Sequence, residues 1–269
     1  TAKMNTFPFQ QQHGAEKLTR LPIALLLLAF GISISFAIAK AGVMAGIGVL
    51  VIPFIVYFLF QLFTYPKLGL YSSIFMGFAA NGLARYVEAP FGLLVDGLLL
   101  LTYLSIAFRK EKYDWTKAKN GLTYAAIIWM LYSFLEIFNP EARSFEAWFY
   151  AMRGVSLYMV LAIPLAFVLF DSRKDFDRFF IIWLSLSMIG TLNGFKQQLF
   201  GVDTFEQAWL DAGAAKQHIL FGKLRVFSFY SDAGQFGAAQ AHALVVSVIL
   251  LLGKNLSLKR KLFYGTAAG

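Results

Sequence analysis

Apolar residues fill this chain in eight long runs separated by short polar breaks: Leu21–Ala39, Gly42–Thr64, Leu68–Ala84, Pro90–Phe108, Leu122–Phe138, Val155–Phe170, Phe179–Leu199 and Phe236–Leu252. The first carries no charge across nineteen residues. A helix rises about 1.5 Å per residue, so roughly 20 apolar residues cross a hydrocarbon core about 30 Å thick. In lipid every backbone N–H and C=O has to bond internally. Runs that are apolar on all sides, and do not alternate with period two, meet that demand as helices rather than as a barrel. The pattern predicts an all-α fold, a polytopic transmembrane helical bundle with about eight spans and a partly structured outer loop. The third run is short and carries Asn81 near its end.

The polar breaks divide the chain. Residues 1–20 form a cytoplasmic N-terminal segment, 21–199 hold spans one to seven, 200–235 make an outer (periplasmic) loop, and 236–269 hold span eight and the start of a ninth. With the N-terminus in the cytoplasm, the inside segments carry sixteen of the 24 Lys and Arg residues and the outside segments eight. That bias predicts a cytoplasmic N-terminus. The basic cluster Arg109–Lys119 suits anionic lipid on the same face. The first run is long, its basic residues lie well before it, and no small-residue cleavage site leads into a soluble domain, so it reads as a span and not as a signal peptide. After Lys259-Arg260-Lys261 the stretch Leu262–Gly269 opens like the first third of a further span, giving the expectation that this is the N-terminal part of a longer protein.

Composition narrows the chemistry. The chain is 58% hydrophobic and 14% charged, with no cysteine, so disulfides, zinc–thiolate sites and thiol catalysis are excluded. Three histidines, His13, His218 and His242, argue against a histidine-built metal site. The net charge of +9 lies in short loops between spans and reads as an orientation signal, not as nucleic-acid binding. There is no phosphate loop, dinucleotide fingerprint, nucleophile elbow or His-Glu-x-x-His motif, and no cofactor or metal is expected.

Polar residues gather on the outer side. In the long connection, Asp203-Thr204-Phe205-Glu206 has capping-box spacing, with Phe205, Ala208 and Trp209 as an apolar stripe and Gly213 as a stop, so Asp203–Ala212 reads as a short interfacial helix. His218–Phe221 and Leu224–Tyr230 flank Gly222-Lys223 as a small hairpin would. Next comes Arg225-Val-Phe-Ser-Phe-Tyr-Ser-Asp-Ala-Gly-Gln235-Phe-Gly237, running straight into span eight with Asp232 as its cap. Arg225 offers a planar fork that matches a phosphate or diphosphate, and the helix start beside it adds partial positive charge. Asn193, Lys196 and Gln197 share one helical face near the end of span seven, Arg153 opens span six, and Arg85 and Glu88 precede span four. Asp96 is costly in lipid unless paired and is expected to meet an arginine inside the bundle. Gln240 and His242 lie one to two turns into span eight. Trp129, Trp148 and Trp183 read as lipid-facing or interfacial.

The segment Arg225–Gly237, together with Gly194-Phe-Lys196-Gln197-Gln-Leu-Phe-Gly201, resembles the corresponding region of the O-antigen ligase/polymerase superfamily, whose members are polytopic glycosyltransferases of the inner membrane. The resemblance implies transfer of a glycan from a lipid-linked oligosaccharide donor, on an undecaprenyl-pyrophosphate carrier, to a lipid or glycan hydroxyl at the periplasmic face of a bacterial inner membrane, without nucleotide or metal. It implies that Arg225 grips the donor pyrophosphate, with Arg153 and Lys196 as candidates for the same task and Gln197 and Gln235 beside them. The family's acceptor-activating base, a histidine or similar group, lies on a later outer loop that this sequence does not contain. His242 does not match it, and no catalytic residue is assigned. A polymerase of the same superfamily, a transporter or flippase for an amphipathic substrate, and a non-catalytic subunit of a membrane complex are the rival readings.

Overall fold

Helices make up most of the described chain, and they break where glycine, proline or a capping side chain interrupts the apolar pattern. A computed structural model describes residues 9–87, 89–109, 113–141, 144–254 and 256–269, with side chains from residue 21 onward apart from Met44. Glu88, Arg143 and the Lys110–Lys112 part of the basic cluster lie outside the described residues. The chain divides into two compact units, Thr1–Gln61 and Leu62–Gly269.

The first unit contains α1 (Phe9–Ala41) and most of α2 (Val43–Thr64). Gly42 stands between them at φ 82, a conformation open to glycine and strained for other residues. The hydroxyls of Ser33 and Ser35 donate to Ala29 O and Gly31 O one turn back, which satisfies these polar groups within the apolar run Leu21–Ala39.

The second unit begins with a helical hairpin, α3 (Pro66–Leu83) and α4 (Phe91–Ala107), followed by α5 (Gly121–Leu135). Then come α6 (Phe145–Met152) and α7 (Tyr158–Leu169), joined without a break by a π-helical turn at Arg153–Leu157. The long α8 (Arg173–Phe200) leads through a folded connection to α11 (Ala233–Leu251) and α12 (Leu258–Ala268). Side chains set the starts: Asn120 caps α5, Ser144 caps α6, Asp232 caps α11, and Ser172 with Asp175 forms a full capping box on α8. Leu70, Val95, Leu99, Ile106, Leu165 and Leu169 pack α3, α4 and α7 into one core. Gly69 lets α3 and α4 approach, since a Cβ there would stand 2.1 Å from Thr102 Oγ1. Leu184, Ala243 and Tyr264 join α8, α11 and α12.

Among the described residues, six helical segments are long and apolar enough to cross a membrane: Leu21–Ala41, Ala45–Thr64, Gly121–Phe138, Phe145–Leu169, Arg173–Phe200 and Ala233–Leu251. Their large side chains stay exposed, as at Leu26 (70%) and Phe54 (69%), which in water would be untenable and in lipid is ordinary. The chain is an all-α, multi-pass membrane protein. Two of the eight expected spans do not stand on length and composition: α3 carries Lys67, Ser72, Ser73 and Asn81, and α4 has only 17 residues.

Ion pairs and side-chain hydrogen bonds mark the two ends of the second unit. At one end Lys67 bridges Asp171 and Asp175, both at 2.9 Å, Arg109 donates to Thr64 O, and Arg260 meets Asp177 at 2.9 Å. At the other end Arg85, Tyr86 and Lys196 meet the α8–α11 connection. Trp129 and Trp148 donate from Nε1 to Val155 O (3.0 Å) and Ser133 O (2.8 Å), so they tie α5 to its neighbours instead of merely facing lipid.

Candidate functional site

The α8–α11 connection is folded throughout its length. Gly201 turns the chain at φ 84, and Asp203 then caps α9 (Thr204–Trp209). Its Oδ1 accepts from the Phe205 and Glu206 N–H groups, and Glu206 Oε2 accepts from the Asp203 N–H at 3.1 Å, completing the capping box legible in the sequence. A π-helical turn follows, and Gly213 breaks it at φ 125. The chain continues through α10 (Ala215–His218) into a two-stranded hairpin, β1 (Ile219–Leu220) and β2 (Lys223–Leu224). Its turn is Phe221-Gly222, one residue earlier than the sequence suggested.

A polar lock holds this connection onto α3 and α8. Lys196 Nζ reaches Asp203 Oδ2 at 2.9 Å and Glu206 Oε2 at 2.8 Å. Gln197, buried, donates to Glu206 Oε1 at 2.7 Å and accepts from the N–H groups of Phe227 (3.2 Å) and Ser228 (2.8 Å). Ser228 sits at φ 50, a costly conformation for a residue with a Cβ, and its Oγ donates to Gly190 O. Arg85 closes the lock: its guanidinium donates to Ser228 O and Tyr230 O while lying 4.7 Å from the Trp209 ring centre and 4.4 Å from that of Phe227. Burial pulls the Arg85 guanidinium below its ordinary value, and the Glu206 carboxylate opposes this. Burial also acts to raise the Asp203 carboxyl, but the Glu206 backbone N–H, the Tyr86 hydroxyl at 2.6 Å and Lys196 outweigh it and hold that group down at about 2.

His218 is the least expected member. It is 1% exposed, its ring centre lies 4.9 Å from those of both Trp209 and Phe227, and its Nδ1 is buried without a hydrogen-bond partner. Burial lowers its pKa, and Arg85 lowers it further. No spacing rule in the sequence points to this ring stack. Only the apolar neighbours of His218 hint that the ring is covered.

The expected site residues separate into different roles. Arg225 is exposed; its backbone N–H donates to His218 O at 2.8 Å and its guanidinium approaches only Gln217 O, at 3.5 Å. Lys196 and Gln197 are occupied by the lock and act as its pins. Gln235 is exposed in the first turn of α11, where its N–H donates to Asp232 Oδ1. Arg153 is buried away from the connection: its Nε meets Asp96 Oδ2 at 2.6 Å, and its guanidinium lies among Phe149, Tyr150 and Tyr158. The pairing expected for Asp96 is therefore present, and it leaves Arg153 with a structural partner. Gln240 accepts from Ser187 and Thr191, both at 2.9 Å, joining α8 to α11, while His242 is exposed and bonds Ala238 O of its own helix. A cavity of about 460 Å³ lies between α8, α11 and α12 beside Thr191, Phe195, Gln240 and Leu244; none of the five expected residues lines it.

No protein-family model matches the sequence, and no curated protein or solved structure is significantly similar to it.

Proposed function

We propose that this protein transfers a glycan from an undecaprenyl-pyrophosphate carrier to a lipid or glycan hydroxyl at the periplasmic face of a bacterial inner membrane. One observation carries the reading. The connection bearing the Arg225–Gly237 motif is a folded platform fixed by buried Arg85, Gln197 and Glu206, and it leaves the Arg225 fork exposed. The platform fixes the Arg225 backbone, whose N–H donates to His218 O, and leaves its guanidinium free to pair with a diphosphate and stabilise the charge that develops as it leaves. In this reading Lys196 and Gln197 position the platform and do not touch the donor, and Arg153 plays no part in gripping it.

The topology belongs to the same proposal: eight spans, N-terminus in the cytoplasm. The hairpin α3–α4 supports the span count. Arg85, in the turn between the two helices, bonds the α8–α11 connection, while Arg109, just beyond α4, bonds Thr64 just before α3. At about 1.5 Å per residue, helices of this length come close to a full bilayer crossing.

The test is Arg225→Lys, which keeps the charge and loses the fork. In cells or proteoliposomes supplied with the lipid-linked glycan, transfer is expected to fall about a hundredfold, as for removal of a transition-state oxyanion donor, while the protein still inserts and the donor accumulates. Unchanged transfer removes Arg225 from the donor site. A transporter of an amphipathic substrate is the second reading, favoured by the buried Arg153–Asp96 pair at a π-helical turn. It requires flux of labelled substrate across proteoliposomes without covalent transfer.

A further inference from the structure

We propose that the β1–β2 hairpin is a membrane-inserting tip: Phe221, with Ile219 and Leu220 beside it, enters the boundary between headgroups and acyl chains, and Lys216, Lys223 and Arg225 hold anionic lipid headgroups around it. The hairpin belongs to no span. It lies in the connection between α8 and α11, two helices of spanning length, so it stands beside a membrane surface whichever way the protein faces.

The first argument is the turn. Both central residues have positive φ, 53 at Phe221 and 73 at Gly222, as a type I′ hairpin turn requires. Asn, Asp or Gly suits the first of these positions, and a bulky aromatic residue is a genuine outlier there. Phe221 recovers nothing for this strain among the described residues, since it is 102% exposed. Ile219 (38%) and Leu220 (42%) are exposed beside it. A lipid interface supplies the burial that the protein does not.

The second argument is charge. From Ala212 to Ser231 the chain has no Asp or Glu, while Lys216, Lys223 and Arg225 are all exposed. An apolar tip ringed by cations matches an anionic lipid surface, with about 1 kcal/mol of attraction per basic residue near such a surface as the general scale. The same ring disfavours a second copy of the chain, which would bring three cations against three. The inference does not depend on the glycan reading; it holds whether or not Arg225 also receives a diphosphate.

The chain has no cysteine, so Leu220→Cys provides a single thiol for a spin label while keeping Phe221. The labelled protein, reconstituted in vesicles of phosphatidylethanolamine and phosphatidylglycerol, is probed for collisions with oxygen and with a water-soluble nickel chelate. Asp211→Cys, elsewhere on the connection, is the comparison. Position 220 is expected to be rich in oxygen collisions and several-fold poorer in chelate collisions than position 211. The depth should lessen in phosphatidylcholine vesicles and with Lys216→Gln and Lys223→Gln together. The decisive variant is Phe221→Asn: asparagine suits the turn, so the hairpin stays folded, yet the label should rise toward water. Equal chelate access at 220 and 211, a depth unaffected by Phe221→Asn, or shielding that grows with protein density and broadens the spectrum through label–label contact would each overturn the proposal.

Discussion

At the scale of the residue, His218 shows how packing fixes a protonation state. Between Trp209 and Phe227, near Arg85 and with Nδ1 unpartnered, the neutral ring is favoured over the cation. A histidine whose folded pKa is depressed contributes stability that is fully present above its unfolded value, about 6.5, and is lost as the pH falls below it. Protection of the Val226–Tyr230 amides against hydrogen exchange is therefore expected to decline as the pH drops from 7 toward 5 (a range set by that ordinary value of about 6.5). His218→Phe, which keeps a ring in the stack and breaks no side-chain hydrogen bond at Nδ1, should flatten this dependence. Asp203 also holds a depressed pKa, so its contribution is likewise lost on acidification, but in a separate window between about 4 and about 2. A decline that persists unchanged in His218→Phe would assign the acid sensitivity elsewhere.

At the scale of the element, the platform is only as firm as Arg85. One guanidinium pairs two carbonyls of the strained Ser228–Tyr230 turn and lies against two aromatic faces. A lysine at this position can satisfy one carbonyl at a time and cannot stack as a plane. Arg85→Lys should cost about 2 kcal/mol of local stability, from one buried carbonyl left unpaired and a weakened cation–π contact. Hydrogen exchange should quicken across Val226–Tyr230 while α5 and α7 keep their protection; unchanged exchange in the turn would show that Gln197 and Ser228 suffice to hold it. Part of this element was legible in the sequence. The capping box of Asp203 and Glu206, the stop at Gly213 and the cap at Asp232 are local chemistry, and local spacing reveals them. Which cation would be buried was not legible. By sequence, Arg85, Arg153 and Lys196 all fall near the ends of expected spans on the same polar side, yet Arg153 lies inside the continuous helical segment Phe145–Leu169, and only tertiary contact decides that the first two are internal, the third is a pin and Arg225 stays exposed.

At the scale of the whole molecule, apolar run length identified every long helix, because lipid leaves the backbone no alternative. It could not settle the role of α3 and α4, whose polar residues serve packing and ion pairs within the bundle: Lys67 with Asp171 and Asp175, and Gly69 against Thr102. Contacts at the two ends give that pair a testable topology. Three spanning segments, Gly121–Phe138, Phe145–Leu169 and Arg173–Phe200, separate Lys117 from Lys223, so these two residues should lie on opposite faces. Arg85 bonds the connection that carries Lys223, so the turn after α3 should share its face. In this cysteine-free chain, single cysteines at Val87, Lys117, Lys223 and Lys254 can be read with a membrane-impermeant maleimide. Val87→Cys and Lys223→Cys should label from one side, and Lys117→Cys and Lys254→Cys only after the other is opened. Labelling of Val87→Cys from the side of Lys117 would make α3 and α4 a re-entrant hairpin. It would then separate Arg85 from Ser228 and Tyr230, and the lock that presents Arg225 would have no closing residue.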